Sequence, residues 1–269
     1  MRHSISAVFA SLALLVGVVA GNDADASTAL SRIVKKSELR VGMSGNQPPL
    51  NVKSRSGEMI GLEVDLATML AGAMGVKLNI VEMPFSDLLG ALEKGKVDMV
   101  MSGMTITLER NLEAAFVGPY FVSGKSILTR ADRLSASDEA EEINQESVTL
   151  AALRGSTSQK FVEVEIPKAK LETTTDYDTG VQMVLDGKVD ALIADYPICV
   201  LSVLRNPGKG LAALTTPFTI EPIGIALPPG DPLLVNAVTN FLNALQGTGA
   251  LELLKAKWLE DGSWLSQLP

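Results

Sequence analysis

Arg110 within SGMTITLER, Ser156 and Thr157 within LRGSTSQKF, and Asp195 at the end of GKVDALIAD are the side chains of this sequence suited to holding a small charged molecule. A guanidinium is a planar fork of donors that meets a carboxylate with two parallel bonds. Arg110 follows Thr107, a natural helix N-cap, and a cation in the first turn of a helix opposes the positive end of its dipole. Helix stability therefore does not explain it, which leaves carboxylate capture or a surface ion pair with Glu109 or Glu113. Gly155, Ser156, Thr157 and Ser158 precede a helix predicted to begin at Ser158. Their hydroxyls and free backbone N–H groups suit an anion, unless they only cap the helix. Asp195 can answer an ammonium, or stand as a turn aspartate ahead of Tyr196 and Pro197.

Much other chemistry is closed to this chain. Its one histidine is His3 and its one cysteine is Cys199. A Cys/His zinc site, a Ser-His or Cys-His nucleophile pair and an intrachain disulfide are excluded, and no metal or cofactor is expected. Cys199 lies in the apolar run 198–201 and reads as a small buried hydrophobe. Glu163 and Glu165 read as an exposed helix face, not an acid/base pair. The stretch GPYFVSGKS (118–126) imitates a phosphate loop, but five residues separate its glycines instead of four, and a strand follows where a helix is required. A net charge of −8 without a basic cluster excludes nucleic acid as a partner.

The elements that must position these residues show in a repeated phrase. GKVDMVMSG (95–103) returns as GKVDALIAD (187–195). In each copy the glycine ends a helix, the aspartate opens a strand, and apolar residues carry the chain to the strand's carboxyl end, where ligands collect in open parallel sheets. Gly103 and Asp195 are then strand tips that face one cleft. Around the first copy the patterning predicts strands at 39–43, 77–82 and 97–101, a loop at 44–49, a helix over 62–74 closed by Gly75, and a short helix over 85–92. Around the second it predicts strands at 148–153, near 171–173 and at 189–194, with helices from Ser158 and over 178–185. A last strand at 225–227 and helices over 233–245 and 250–258 have no sheet of their own and return to complete the first unit. Strands alternating with helices indicate an α/β fold with parallel sheets. The acidic stretch 135–146 reads as solvated surface.

The first 26 residues read as a secretory signal peptide. Arg2 and His3 precede the apolar run LALLVGVVA (12–20), and Ala24, Asp25 and Ala26 offer a small-x-small cleavage pattern. That run is well short of the roughly 20 residues a spanning helix needs. Cleavage after Ala26 removes Arg2, Asp23 and Asp25 and moves the net charge to −7.

LRVG, GLEVDLA, SGMTITLER, GPYFVSG, LRGSTSQKF and DALIAD occur in the order and spacing of a known family. From about Leu39 to Trp258 the chain resembles the periplasmic solute-binding proteins of family 3, the polar amino-acid receptors of ABC importers. The resemblance implies the periplasmic-binding-protein type II fold, in which two open α/β lobes are joined by two hinge strands and close on a ligand. Lobe 1 would comprise 27–119 and 224–269, and lobe 2 would comprise 120–223, with crossings near 120–123 and 221–223. It further implies a periplasmic monomer without enzymatic activity, serving an inner-membrane ABC permease.

The same resemblance assigns roles. Arg110 matches the clamp on the ligand's α-carboxylate, while Thr105 and Gly103, with Ser102 beside them, match positions that bond the ligand through hydroxyl and backbone. Thr157, with Ser156, matches a second carboxylate contact, and Asp195 matches the counter-charge to the ammonium. Many members carry aromatic residues where Gln47 and Leu50 stand and an acidic residue where Ser44 stands. Phe85 remains, either packed on the ligand or in the core. These departures weaken the case for a cationic or aromatic ligand and admit a small polar or acidic amino acid, or a related carboxylate, on at least equal terms. Cyclohexadienyl dehydratases share the fold, but they place a glutamate acid three residues past the strand-tip aspartate, where this chain has Ile198.

Overall fold

The computed structural model describes residues 28–130, 143–214 and 216–268. The signal peptide and residues 135–142 of the acidic stretch lie outside the described residues.

Helix α1 (Ala29–Lys36) is capped by Thr28, whose hydroxyl accepts from Ser31 N. It leads into β1 (Glu38–Met43). The loop predicted at 44–49 contains β2 (Asn46–Gln47), which forms a small three-stranded sheet with β3 (Asn51–Lys53) and β4 (Met59–Ile60). Helix α2 (Leu62–Met74) and β5 (Lys77–Glu82) keep the boundaries their apolar periodicity predicts. One 3-10 turn at Phe85–Asp87 precedes α3 (Leu88–Glu93), followed by β6 (Met99–Val100), α4 (Leu108–Asn111) and β7 (Ala115–Ser123). The second unit holds β8 (Lys125–Arg130), β9 (Thr149–Leu153), α5 (Thr157–Glu165) and β10 (Lys170–Thr174). It continues through α6 (Tyr177–Leu185), β11 (Ala191–Asp195), α7 (Tyr196–Arg205) and β12 (Leu211–Ala213). The chain then returns through β13 (Glu221–Leu227), α8 (Pro232–Gly247) and α9 (Ala250–Lys255).

Two five-stranded sheets result, ordered β5-β1-β6-β13-β7 and β10-β9-β11-β8-β12. The parallel pairs expected from the alternation are present, and each sheet also contains an antiparallel strand. Within the first, β1 runs parallel to β5 and β6, but β13 is antiparallel to β6 and β7. Within the second, β9 runs parallel to β10 and β11, but β8 is antiparallel to β11 and β12. The antiparallel strands are those that carry the chain between the sheets. No helical crossover feeds them within a sheet, and parallel pairing requires one. The crossing itself is a ribbon, with Glu221 opposite Ser123 and Ile223 opposite Phe121.

The repeated phrase acquires a structural meaning here. Gly95 and Gly187 end α3 and α6 with left-handed φ of 63° and 68°, a conformation that costs glycine little. Asp98 N donates to Arg40 O at 2.9 Å, and the Asp98 carboxylate accepts from Arg40 N at 2.8 Å. Asp190 repeats this on Thr149, donating to its carbonyl at 2.8 Å and accepting from its N–H at 2.9 Å. Each aspartate thus fastens the start of a strand to its parallel neighbour and so sets the height of the strand's tip.

The return segment packs into the first sheet's core. Leu39, Val41, Leu66 and Leu70 share one buried cluster with Ile225, Leu234, Val238 and Trp258. A second cluster joins Phe85, Leu88 and Val100 to Leu153, Tyr177 and Leu192, so apolar packing is continuous from one sheet to the other. Among the described residues no helix is long and apolar enough to cross a membrane.

Candidate functional site

Arg110 sits on a single helical turn. Thr107 caps it as predicted, accepting from Arg110 N at 3.2 Å. Because α4 has four residues, its first turn is also its last, and the dipole argument raised from the sequence loses its force. The guanidinium bonds go to carbonyls rather than to Glu109 or Glu113. Nη1 donates to Thr105 O at 2.9 Å and Nη2 to Gly155 O at 3.1 Å. The guanidinium carbon lies 5.7 Å from the Phe85 ring centroid. Burial pulls Arg110 below its ordinary pKa, and the charges of Glu221 and Asp195 oppose that. A second link crosses the cleft where the Thr105 and Thr157 hydroxyls approach to 3.3 Å.

Around the first strand tip the bonds converge on Glu63, fully buried in the first turn of α2. Its carboxylate accepts from Gly103 N at 2.7 Å, from the Tyr120 hydroxyl and from Asn51 Nδ2. Gly103 has φ 59°, and a Cβ there would lie 2.2 Å from Gln47 Oε1. Ser102 Oγ accepts from Ser44 N at 2.9 Å and donates to Ser44 Oγ at 3.0 Å. Ser44, Gln47, Ser102 and Thr105 are therefore gathered at this tip, all buried. Phe85 is also buried, between apolar neighbours and the Arg110 guanidinium. Ser156 spends its hydroxyl on capping: it accepts from Gln159 N at 3.1 Å and donates to Leu153 O at 2.6 Å. The helix consequently starts at Thr157, one residue earlier than predicted.

Asp195 ends β11 as expected, but it is already paired. Lys125 Nζ lies 2.6 Å from its Oδ1 and 3.6 Å from Glu221 Oε2. Tyr177 is buried in the same neighbourhood. Burial first, then the charge of Asp195, pushes its hydroxyl well above the ordinary tyrosine pKa. Lys125, Glu221, Tyr177 and Glu63, which the sequence reading did not single out, stand among these candidate residues. Lys125 opens an apolar strand and Glu63 sits where acids favour a helix dipole, so each has an ordinary local explanation. Only the pairing of distant segments reveals them.

A cavity between the two units is lined by Thr107, Arg110, Gly155, Ser156 and Thr157 together with Glu109, Glu113 and Lys160, while Gly103, Thr105, Lys125 and Asp195 are not in its lining. The model of the bacterial extracellular solute-binding proteins, family 3, matches residues 39–261. The chain belongs to that family. As a family 3 solute-binding protein it is 30% identical to a cyclohexadienyl dehydratase of Pseudomonas aeruginosa, over 96% of this chain and 95% of that one. It is 26% identical to the L-cystine-binding protein TcyJ of Escherichia coli, with the same coverage of both chains. Among solved structures it resembles the ancestral amino acid-binding protein AncCDT-1, described as a precursor of cyclohexadienyl dehydratase. The identity there is 34% and the TM-score 0.79, over 86% of this chain and 99% of that one. The two-lobe, α/β architecture is that of these neighbours, and lobe 1 and lobe 2 below denote the units around the first and second sheets, with the ends of β7 and β13 forming the crossing between them.

Proposed function

We propose that this family 3 protein is the periplasmic receptor of an ABC importer, exported by its leader and acting as a monomer. It captures a small carboxylate, an amino acid or a close relative, between two lobes. Lobe 1 comprises 27–119 and 224–269, and lobe 2 comprises 120–223. The closed form is presented to an inner-membrane permease. The observation that carries this reading is Arg110, which is rooted in lobe 1 yet reaches Gly155 in lobe 2. A carboxylate entering between Thr105 and Thr157 would meet the guanidinium fork on one side and the N-terminal N–H groups of α5 on the other. Gly103, Ser102, Ser44 and Gln47 line lobe 1, with Phe85 beneath Arg110, and Ser156 orients Thr157. Because the two lobes contribute different parts of the contact, a ligand favours the closed state.

A dehydratase on the same fold is the second reading, favoured by the 30% identity to such an enzyme. Against it stands Ile198, a buried apolar residue in the first turn of α7. Elimination of a hydroxyl needs a proton donor there, and isoleucine has none. The deciding experiment pairs a thermal-shift screen over amino acids, opines and small carboxylates with incubation in prephenate or arogenate. A receptor melts higher with its solute and forms no aromatic product. Aromatic product at enzymatic rates refutes the receptor reading.

A further inference from the structure

Lys125 and Asp195 are partners by register. Strands β8 and β11 run antiparallel with these two residues directly opposite, so their side chains share one face of the sheet. Lys125 is 1% exposed, and its backbone is held on both sides. Its N–H donates to Thr219 Oγ1 at 3.0 Å, and its carbonyl accepts from Phe218 N at 2.7 Å. Swinging the ammonium away would leave Asp195 and Glu221 close together without their cation, a costly arrangement in a buried place.

The receptor reading, on which this inference rests, sends a ligand ammonium to Asp195. The protein's own ammonium already stands there. A zwitterion would have to bring a second cation against Lys125 Nζ or displace it. The Glu221 contact, at 3.6 Å, is longer than a hydrogen bond, so of the three N–H donors of Lys125 only the one given to Asp195 is firmly engaged. A donor is left for a ligand oxygen. We propose that Lys125 replaces the ligand's α-ammonium, and that the site takes a carboxylate with an oxygen on its α-carbon, a 2-oxo or 2-hydroxy acid. Its carboxylate lies toward Arg110 and its α-oxygen toward Lys125 Nζ.

Matched probes test this by calorimetry on the purified protein: pyruvate, lactate and alanine; 2-oxoglutarate, 2-hydroxyglutarate and glutamate; 2-oxoisovalerate and valine. The oxygenated acid of the set that fits should bind at least tenfold more tightly than its amino counterpart. Lys125→Met should reverse that order, because Asp195 then becomes free to accept an ammonium. Lys125→Gln serves the same purpose should the methionine variant fail to fold. Tighter binding of the amino acids by the wild type overturns this proposal and leaves the receptor reading standing. An oxygen preference that survives both substitutions also overturns it, since Lys125 would then not be its source. If the folded wild type binds none of these probes nor any other amino acid or carboxylate, both readings fall together.

Discussion

Arg110 Nη2 and the Gly155 carbonyl oxygen lie 3.1 Å apart across the cleft, so one guanidinium of lobe 1 is bonded to lobe 2. The same guanidinium also donates to Thr105 O at 2.9 Å, which fixes its direction from within lobe 1. Arg110→Ala should lower solute affinity by about 100-fold or more, since charge-assisted bonds of this type contribute roughly 1.5–3 kcal/mol each. Arg110→Lys should recover only part of it, because a point charge lacks the planar fork. Calorimetry on folded variants reads both effects, and unchanged affinity in the alanine variant would refute the clamp.

Gly103 admits no side chain. At φ 59°, an added methyl group would be held in the left-handed region and would lie 2.2 Å from Gln47 Oε1. Gly103→Ala should destabilise the protein by roughly 1–3 kcal/mol and weaken solute binding together. Urea unfolding and calorimetry on one preparation suffice. A variant as stable as the wild type would mean that the Gln47 side chain yields freely and would refute the close packing at Gly103.

Glu63 should write its burial into the pH dependence of stability. Desolvation raises its pKa above the ordinary value of 4.5, against the lowering effect of its bonds from Tyr120, Gly103 and Asn51. The native state therefore holds this proton more tightly than the unfolded chain does. That contribution is fully present below 4.5 and is lost as pH rises through the folded-state value. Relative to Glu63→Gln, which cannot titrate, wild-type stability should fall by up to roughly 1.4 kcal/mol per pH unit inside that window. Parallel urea titrations from acid to neutral pH measure it, and a constant difference between the two proteins would contradict the assignment.

Cys199 should be chemically silent in the native state. It is fully buried, and burial pushes its thiol up to about 12. A disulfide reagent at pH 8 should leave it unmodified until denaturant is added, when one equivalent reacts. Rapid modification of the folded protein would show that α7 opens readily.

The family, the α/β class and the local elements were legible in the chain because their signals are local. The apolar spacing over Leu62–Met74 and the alternation over Lys77–Glu82 each describe a segment by itself, and both stand where predicted. The repeat likewise foretold two strand tips, and β6 and β11 lead to Gly103 and Asp195. The small sheet near Asn51 was missed because strands of two or three residues are too short to show a period. For Ser156 the sequence left anion contact and helix cap open, because a hydroxyl ahead of a helix looks the same in either role, and the structure shows it capping.

The sequence by itself determined which charged and hydroxylic residues this protein owns and which strands and helices carry them. Tertiary structure alone decided which of them meet. Lys125 and Asp195 are 70 positions apart, and only the antiparallel register of β8 and β11 sets one opposite the other. Glu63 acquires its role only when α2 lies against the turn at Gly103. An ion pair or a buried carboxylate is a relation between segments, and periodicity along one segment carries no record of its neighbour's register.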